Sequence, residues 1–234
     1  MNQLQIIWQG LPSLLAGTLV TLNLTFYFLI LGFLLGIVLA LGQVYGPFPL
    51  KIFFIVPFER FFRAVPELVL LFLFFFGSSF FRINISAFMA AVLAMGLRSA
   101  AYQSQIFRGA IQSIGEDQMR AARSLGMSTL QSIRYVILPQ ALRLSIPSWA
   151  NEYAVVLKDS SLAYAIGVTE LLRQGRYIVA RTFGNALLVY SACALIYFVL
   201  VFAGNQLLKF LEKKYKIPGF EIQERRDQSV LERI

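Results

Sequence analysis

Residues 116–139 read EDQMRAARSLGMSTLQSIRYVILP, and this stretch decides how the rest of the chain is understood. It is a polar, arginine-carrying insert in a sequence that is otherwise mostly apolar. Its hydrophobic residues recur at helical spacing, a Gly stands at Gly126, and a second helical segment runs to Leu138-Pro139. Ala121 and Ala122 are small enough to let a partner surface come close. Gly126 permits a backbone reversal that a Cβ disfavours. Two short helices meeting at a glycine make a knob. With no catalytic group in it, such a knob is suited to being gripped by another protein.

The sequence around the insert is that of an integral membrane protein. The chain has 234 residues, 58% of them hydrophobic, with 22 Phe and only 14% charged residues, where an average soluble domain has about 25% charged. The first ten residues carry no Lys or Arg, so no charged n-region of a cleavable signal is expected and the first apolar segment should stay as a span. The net charge of +9 invites a nucleic-acid reading. That reading is rejected, because the basic residues flank apolar segments, where membrane topology explains them. A single cysteine, Cys193, offers neither a disulfide nor a metal cluster. There is no histidine, which removes the commonest general base and the commonest metal ligand. No metal or cofactor is expected in this chain.

The insert resembles the EAA loop of ABC-transporter permease subunits, whose pattern is Glu-Ala-Ala, three residues, Gly, then nine residues before Ile-x-Leu-Pro. Here the residues are Arg120-Ala121-Ala122, Arg123-Ser124-Leu125, Gly126 and Val136-Ile137-Leu138-Pro139. Two positions depart. Val136 replaces Ile, which is trivial. Arg120 replaces Glu, which reverses a charge. The resemblance covers nearly the whole chain, from the first span to Lys214, and is strongest to the polar amino-acid permeases. Further matches lie in Ala100-Ala101-Tyr102 and Arg108-Gly109-Ala110, with Gln105 where the family commonly has an acid. Arg63-Ala64-Val65-Pro66 stands where the family has Arg-Gly-Thr-Pro, and the following Glu67 resembles the arginine- and histidine-type members.

The resemblance implies an all-α membrane protein with the type I ABC importer permease fold. A single permease domain, 1–234, is expected with five spans at about 11–41, 64–80, 87–107, 144–168 and 185–208. Leu11-Pro12 should open the first span, with Pro harmless at a helix start. Lys51 to Arg63 should form an interfacial helix and Pro66 should kink the second span. A coupling loop is expected at 116–139, a polar connector at 170–181, and a charged tail at 209–234 that frays after Pro218. Gly32-x-x-x-Gly36 reads as small residues where helices touch. Most of the 21 Lys and Arg flank one set of span ends, which places the N-terminus outside and the insert and tail in the cytoplasm. The expected location is a prokaryotic plasma membrane.

Charges inside a span cost about 2.5–3.5 kcal/mol each on insertion scales, so they are functional candidates. Glu152 and Asp159 are seven residues apart and share a helix face. Asn151 and Lys158 share the neighbouring one. Arg98 stands at the start of the polar half of the third span. A zwitterionic amino acid presents a carboxylate and an ammonium; Lys158 suits the first, and Glu152 and Asp159 suit cationic groups. By the resemblance, Asn151, Glu152, Lys158, Asp159 and Ser160 fall where the family's substrate pocket lies; Arg98 and Glu67 complete the expected set. Two acids point to a basic amino acid such as arginine; glutamine, glutamate or an opine-like compound is the alternative.

Arg120, Ala121, Ala122, Arg123, Gly126, Leu138 and Pro139 are expected to couple the chain to an ATPase. The chain has no Gly-x-x-x-x-Gly-Lys-Ser/Thr phosphate loop, so ATP and Mg would be bound by a separate ATP-binding cassette subunit. Five helices enclose a pathway poorly, so a dimer is expected, of identical or related permeases. The family also implies an extracytoplasmic solute-binding protein. A secondary transporter should show inverted repeats, which the sequence lacks. A membrane enzyme would have to work with Glu152 and Asp159 alone.

Overall fold

The computed structural model describes residues 3–182 and 186–215, and these are helical almost throughout. The helices are α1 (Gln3–Tyr45), α2 (Phe48–Leu50), α3 (Val56–Ala64), α4 (Glu67–Phe80), α5 (Ala87–Ser113), α6 (Glu116–Ser124), α7 (Thr129–Ser132), α8 (Leu138–Asp159), α9 (Leu171–Thr182) and α10 (Ala186–Lys214). Among the described residues, two helical stretches are long and apolar enough to cross a membrane, Ile7–Tyr45 and Ala186–Lys214. The bent pair Phe48–Ala64 and Glu67–Phe80 makes a third if it is one span.

Prolines shape this chain in three different ways. Pro12 lies inside α1, not at its start, so the helix begins earlier than the sequence suggested. Pro66 makes a corner: the helices on either side of it are turned by 107°. At Pro57 and Pro139 the helix instead continues. Each follows a π-helical turn, Lys51–Ile55 and Ile133–Ile137. One residue before each proline, Val56 and Leu138 donate their N–H groups five residues back, to Lys51 and Ile133. The wider turn makes room for a ring that would otherwise clash with the carbonyl four residues earlier. The helix beginning at Thr129 therefore runs unbroken to Asp159, and no boundary marks the expected span start at 144.

Beyond Asp159 the chain tightens into a 3₁₀ turn, Ser160–Ile166, and ends at Gly167 with φ 105°. The helix thus stops well short of residue 168. The connector expected at 170–181 is a helix, α9, headed by Glu170. The Glu170 carboxylate is fully buried and accepts the N–H groups of Leu172 and Arg173 and the hydroxyl of Tyr197. An acid at a helix N-terminus satisfies otherwise orphaned donors. Helix α10 runs past Leu208 to Lys214. Asn185, and the tail expected to fray after Pro218, lie outside the described residues.

The central contact is α1 against α5. A Cβ on Gly36 would stand 3.0 Å from Gln103 Cβ and 3.2 Å from the Ser104 nitrogen, so only glycine lets the two backbones lie this close. Around this seam one apolar cluster gathers Leu24, Phe28, Leu70, Leu71, Ala94 and Val156. A second joins Ala40, Phe107, Ile111, Ile137 and Ala141, with Met119 of α6 packed on it. A third ties α1 to α9 and α10 through Leu14, Leu171, Ile178, Val189 and Cys193. Large apolar side chains also face outward, among them Leu19, Leu34, Val38, Phe76, Phe198 and Phe202. An apolar outer surface of this extent calls for lipid or another subunit against it.

Candidate functional site

The polar half of α5 is buried by protein. Ser99, Gln103 and Ser104 are fully covered, and Arg98 is 7% exposed. Arg98 joins three helices. One arm of its guanidinium holds Glu67, the first residue after the Pro66 corner. The other holds Asp159, the last residue of α8, with Nη1 3.3 Å from Oδ2. Its flat face lies 4.7 Å from the centre of the Tyr102 ring, and Arg63 approaches the same ring at 5.2 Å. Position i+4 on a helix puts Tyr102 on the face of Arg98.

At the next residue of α5, the Ser99 hydroxyl donates to Glu152 Oε1 at 2.7 Å, and Glu152 is buried. The Gln103 amide donates to the Leu29 carbonyl at 3.2 Å and accepts from the Trp149 indole at 2.8 Å. That amide therefore links α1, α5 and α8. The shared face of Glu152 and Asp159 is turned inward onto α5. Asn151 and Lys158, on the neighbouring face, are exposed. Lys158 borders a cavity of about 510 Å³ with Ser161, Tyr190, Tyr197 and Phe198. It has no hydrogen bond or ion pair among the described residues. Ser160 is buried and its hydroxyl donates to its own helix, at the Leu157 carbonyl. That bond closes the end of α8.

A second buried carboxylate centre lies nearer the insert. Glu59 is 4% exposed, although the segment around it reads as interfacial. It accepts from Ser104 Oγ at 2.6 Å, Gln105 Nε2 at 2.6 Å and Gln43 Nε2 at 2.7 Å. Three neutral donors thus hold one carboxylate between α1, α3 and α5. Gln105, where the resemblance has an acid, is a donor here; a carboxylate at that place would face Glu59 directly.

The insert forms the knob, with definite geometry. Helix α6 closes in a Schellman motif: Met127 N–H bonds the Ala122 carbonyl, and Gly126 N–H bonds that of Arg123. Gly126 has φ +83°, and nothing lies within 4 Å of where its Cβ would be. Glycine is therefore required by backbone conformation and not by crowding. Ser128 and Gln131 make a capping box at the start of α7. Arg123 reaches across the turn to Thr129 Oγ1 at 3.3 Å. Arg120 pairs with Glu116 one turn back, at 2.7 Å, with both side chains exposed. Ala121 is exposed, and Ala122 is buried against the bundle. Leu138 and Pro139 sit half-buried inside the continuous helix beyond the π turn.

The knob carries a feature the sequence analysis passed over. Leu125 and Leu130, on either side of Gly126, are 85% and 74% exposed. The chain matches, over residues 32–217, the family described as the binding-protein-dependent transport system inner membrane component. The chain belongs to that family. The glutamine transport system permease protein of Escherichia coli (strain K12) is 35% identical over 213 residues, covering 90% of this chain and 96% of that one. The L-cystine transport system permease protein of Bacillus subtilis (strain 168) is 34% identical over 203 residues, with 87% and 86% covered. The nopaline transport system permease protein of Agrobacterium fabrum is 31% identical over 224 residues, with 89% and 90% covered. A crystal structure of an amino acid ABC transporter with histidines superposes with a TM-score of 0.81 at 35% identity, covering 92% of this chain and 99% of that chain. The inner-membrane component described here is thus a polar amino-acid ABC permease with the type I importer fold. Its relatives are transport subunits, not enzymes.

Of the expected residues Arg98, Glu67, Glu152 and Asp159, the fold brings Arg98, Glu67 and Asp159 into contact. Tyr102, Gln103, Trp149 and Glu59 take part in these polar contacts without a signal of that role in the expected set. The spacing of Ser99 and Gln103, four apart in an apolar helix, was the available signal for a shared polar face.

Proposed function

We propose that this chain is the pathway-forming subunit of an ATP-driven importer of polar amino acids, working as a dimer of identical or related permeases. Five crossings place the N-terminus outside and the knob in the cytoplasm, where an ATP-binding cassette subunit grips it. That subunit binds ATP and Mg. A solute-binding protein delivers cargo to the opposite face. The observation that carries this reading is the capped, glycine-jointed knob, which presents Leu125 and Leu130 to solvent without partners in the bundle. Exposed leucines flanking a rigid turn fit an apolar socket on another protein. Asn151, Glu152, Lys158, Asp159 and Ser160, with Arg98 and Glu67, line the substrate route on this reading.

Two cargo classes remain. Glu152 and Asp159 favour a basic amino acid such as arginine. The bridged state of Asp159 and the named cargoes of the relatives favour an uncharged or opine-like one. Purification from native membranes, followed by ATPase assay with a panel of amino acids, tests the function. An ATP-binding cassette subunit should co-purify, and a polar amino acid should stimulate hydrolysis. A permease that transports alone, or after ATP depletion, refutes it. Gly126→Cys labelled from outside intact cells refutes the orientation.

A further inference from the structure

The charged cluster at the Pro66 corner already contains its own cation. We infer that Arg98 is a specificity-determining residue: its guanidinium occupies the place between Glu67 and Asp159 that the side-chain cation of a basic amino acid would take. The route therefore admits amino acids with uncharged polar side chains, of the glutamine kind, in preference to arginine or lysine. This inference rests on the reading of the chain as an amino-acid permease.

The exposures of the three groups carry the argument. The Glu67 and Asp159 side chains are 34% and 25% exposed, whereas that of Arg98 is 9% exposed. Both carboxylates thus reach the surface, while the guanidinium bridges them from beneath. An arriving ligand meets acids whose inner sides are already bound. The Arg98 fork has one arm on each acid and its face on Tyr102, so it is fixed in place. A cationic side chain brought to the pair in addition to an α-ammonium would meet the like charge of Arg98 with no carboxylate left to offset it. The third acid, Glu152, is buried and bonded to Ser99, so it presents no free carboxylate at the surface.

What the cluster does present suits a zwitterion. The outer sides of Asp159 and Glu67 can take an α-ammonium. Lys158, next to Asp159 in the chain and on the neighbouring face of α8, is an exposed cation for the α-carboxylate. Among the described residues, no further acid is bonded into this cluster for a cationic side chain. The pair Glu152 and Asp159, which in the sequence points to basic cargo, is split by the fold: one acid is buried and the other is bridged.

The test is equilibrium binding of radiolabelled glutamine and arginine to the purified permease–ATPase complex, without any solute-binding protein to impose its own choice. The wild-type complex should bind glutamine and favour it over arginine at least about tenfold, the ratio that about 1.4 kcal/mol produces. Arg98→Ala should lose that preference or reverse it. Because Arg98→Ala leaves two carboxylates without their partner, Glu67→Gln with Arg98→Gln is the second variant. It removes one charge of each sign, frees Asp159, and should also gain arginine binding. Adding Asp159→Asn to either variant should abolish the gain. A wild-type complex that binds arginine as tightly as glutamine overturns the inference, even if neither variant assembles. So does an assembled variant that still excludes arginine. Failure of the permease reading looks different: no ATPase subunit co-purifies and no amino acid stimulates hydrolysis.

Discussion

Replacing Gly126 by valine should separate ATP hydrolysis from transport while leaving the membrane bundle intact. Gly126 holds φ +83°, a left-handed conformation that costs an L-residue about 1–2 kcal/mol and a β-branched one more. That strain falls on two hydrogen bonds, Met127 to Ala122 and Gly126 to Arg123. At about 1.4 kcal/mol per factor of ten, the ratio of closed to open turn falls roughly tenfold relative to the wild type. Its opening displaces Leu125 relative to Leu130. Nothing lies within 4 Å of the new side chain's Cβ, so the bundle has no clash to relieve. The assay is reconstitution into vesicles, with ATP hydrolysis and amino-acid uptake measured on the same preparation. The variant should insert and purify like wild type, yet show a ratio of uptake to hydrolysis several-fold lower. Gly126→Ala, with the smaller strain, should fall between the two. A valine variant with the wild-type ratio would refute the claim that the turn transmits the stroke.

Three further outcomes follow from the buried contacts. Ser99→Ala leaves the covered Glu152 carboxylate without its hydroxyl donor and should cost about 1–3 kcal/mol; a thermal-unfolding midpoint equal to wild type counts against that bond. Glu59→Gln keeps the shape but offers an amide to a site lined by the donors Gln43, Ser104 and Gln105. It should therefore lower the same midpoint by at least as much, and unchanged stability would show that the centre relaxes freely. Gly36→Val places a branched side chain against Gln103 and the Ser104 backbone and should block the α1–α5 seam; overpacking of this kind costs about 1–3 kcal/mol or more. Monodisperse, wild-type-like protein on size exclusion would contradict it.

The amino-acid sequence by itself determined the class of molecule and the knob. Low charge and long apolar runs require lipid, and both are properties of composition. The Arg120–Pro139 spacing and Gly126 are local, because a Schellman turn is written within six residues and needs nothing distant. Even the polar half of α5 could be recognised as protein-facing, since lipid would not tolerate it. Tertiary structure alone decided which charges meet. Glu67, Arg98 and Asp159 are separated by 31 and 61 residues along the chain, and their meeting depends on a 107° corner at Pro66. It depends also on two π turns that carry helices through prolines, where local rules expect a boundary. The sign of the site follows from that meeting. Two acids on one helix face attract a cation, but α5 meets both of them: Arg98 pairs with Asp159, and Ser99 donates to Glu152. Coulomb energy depends on distances through space, and those distances are set by packing that no local pattern records.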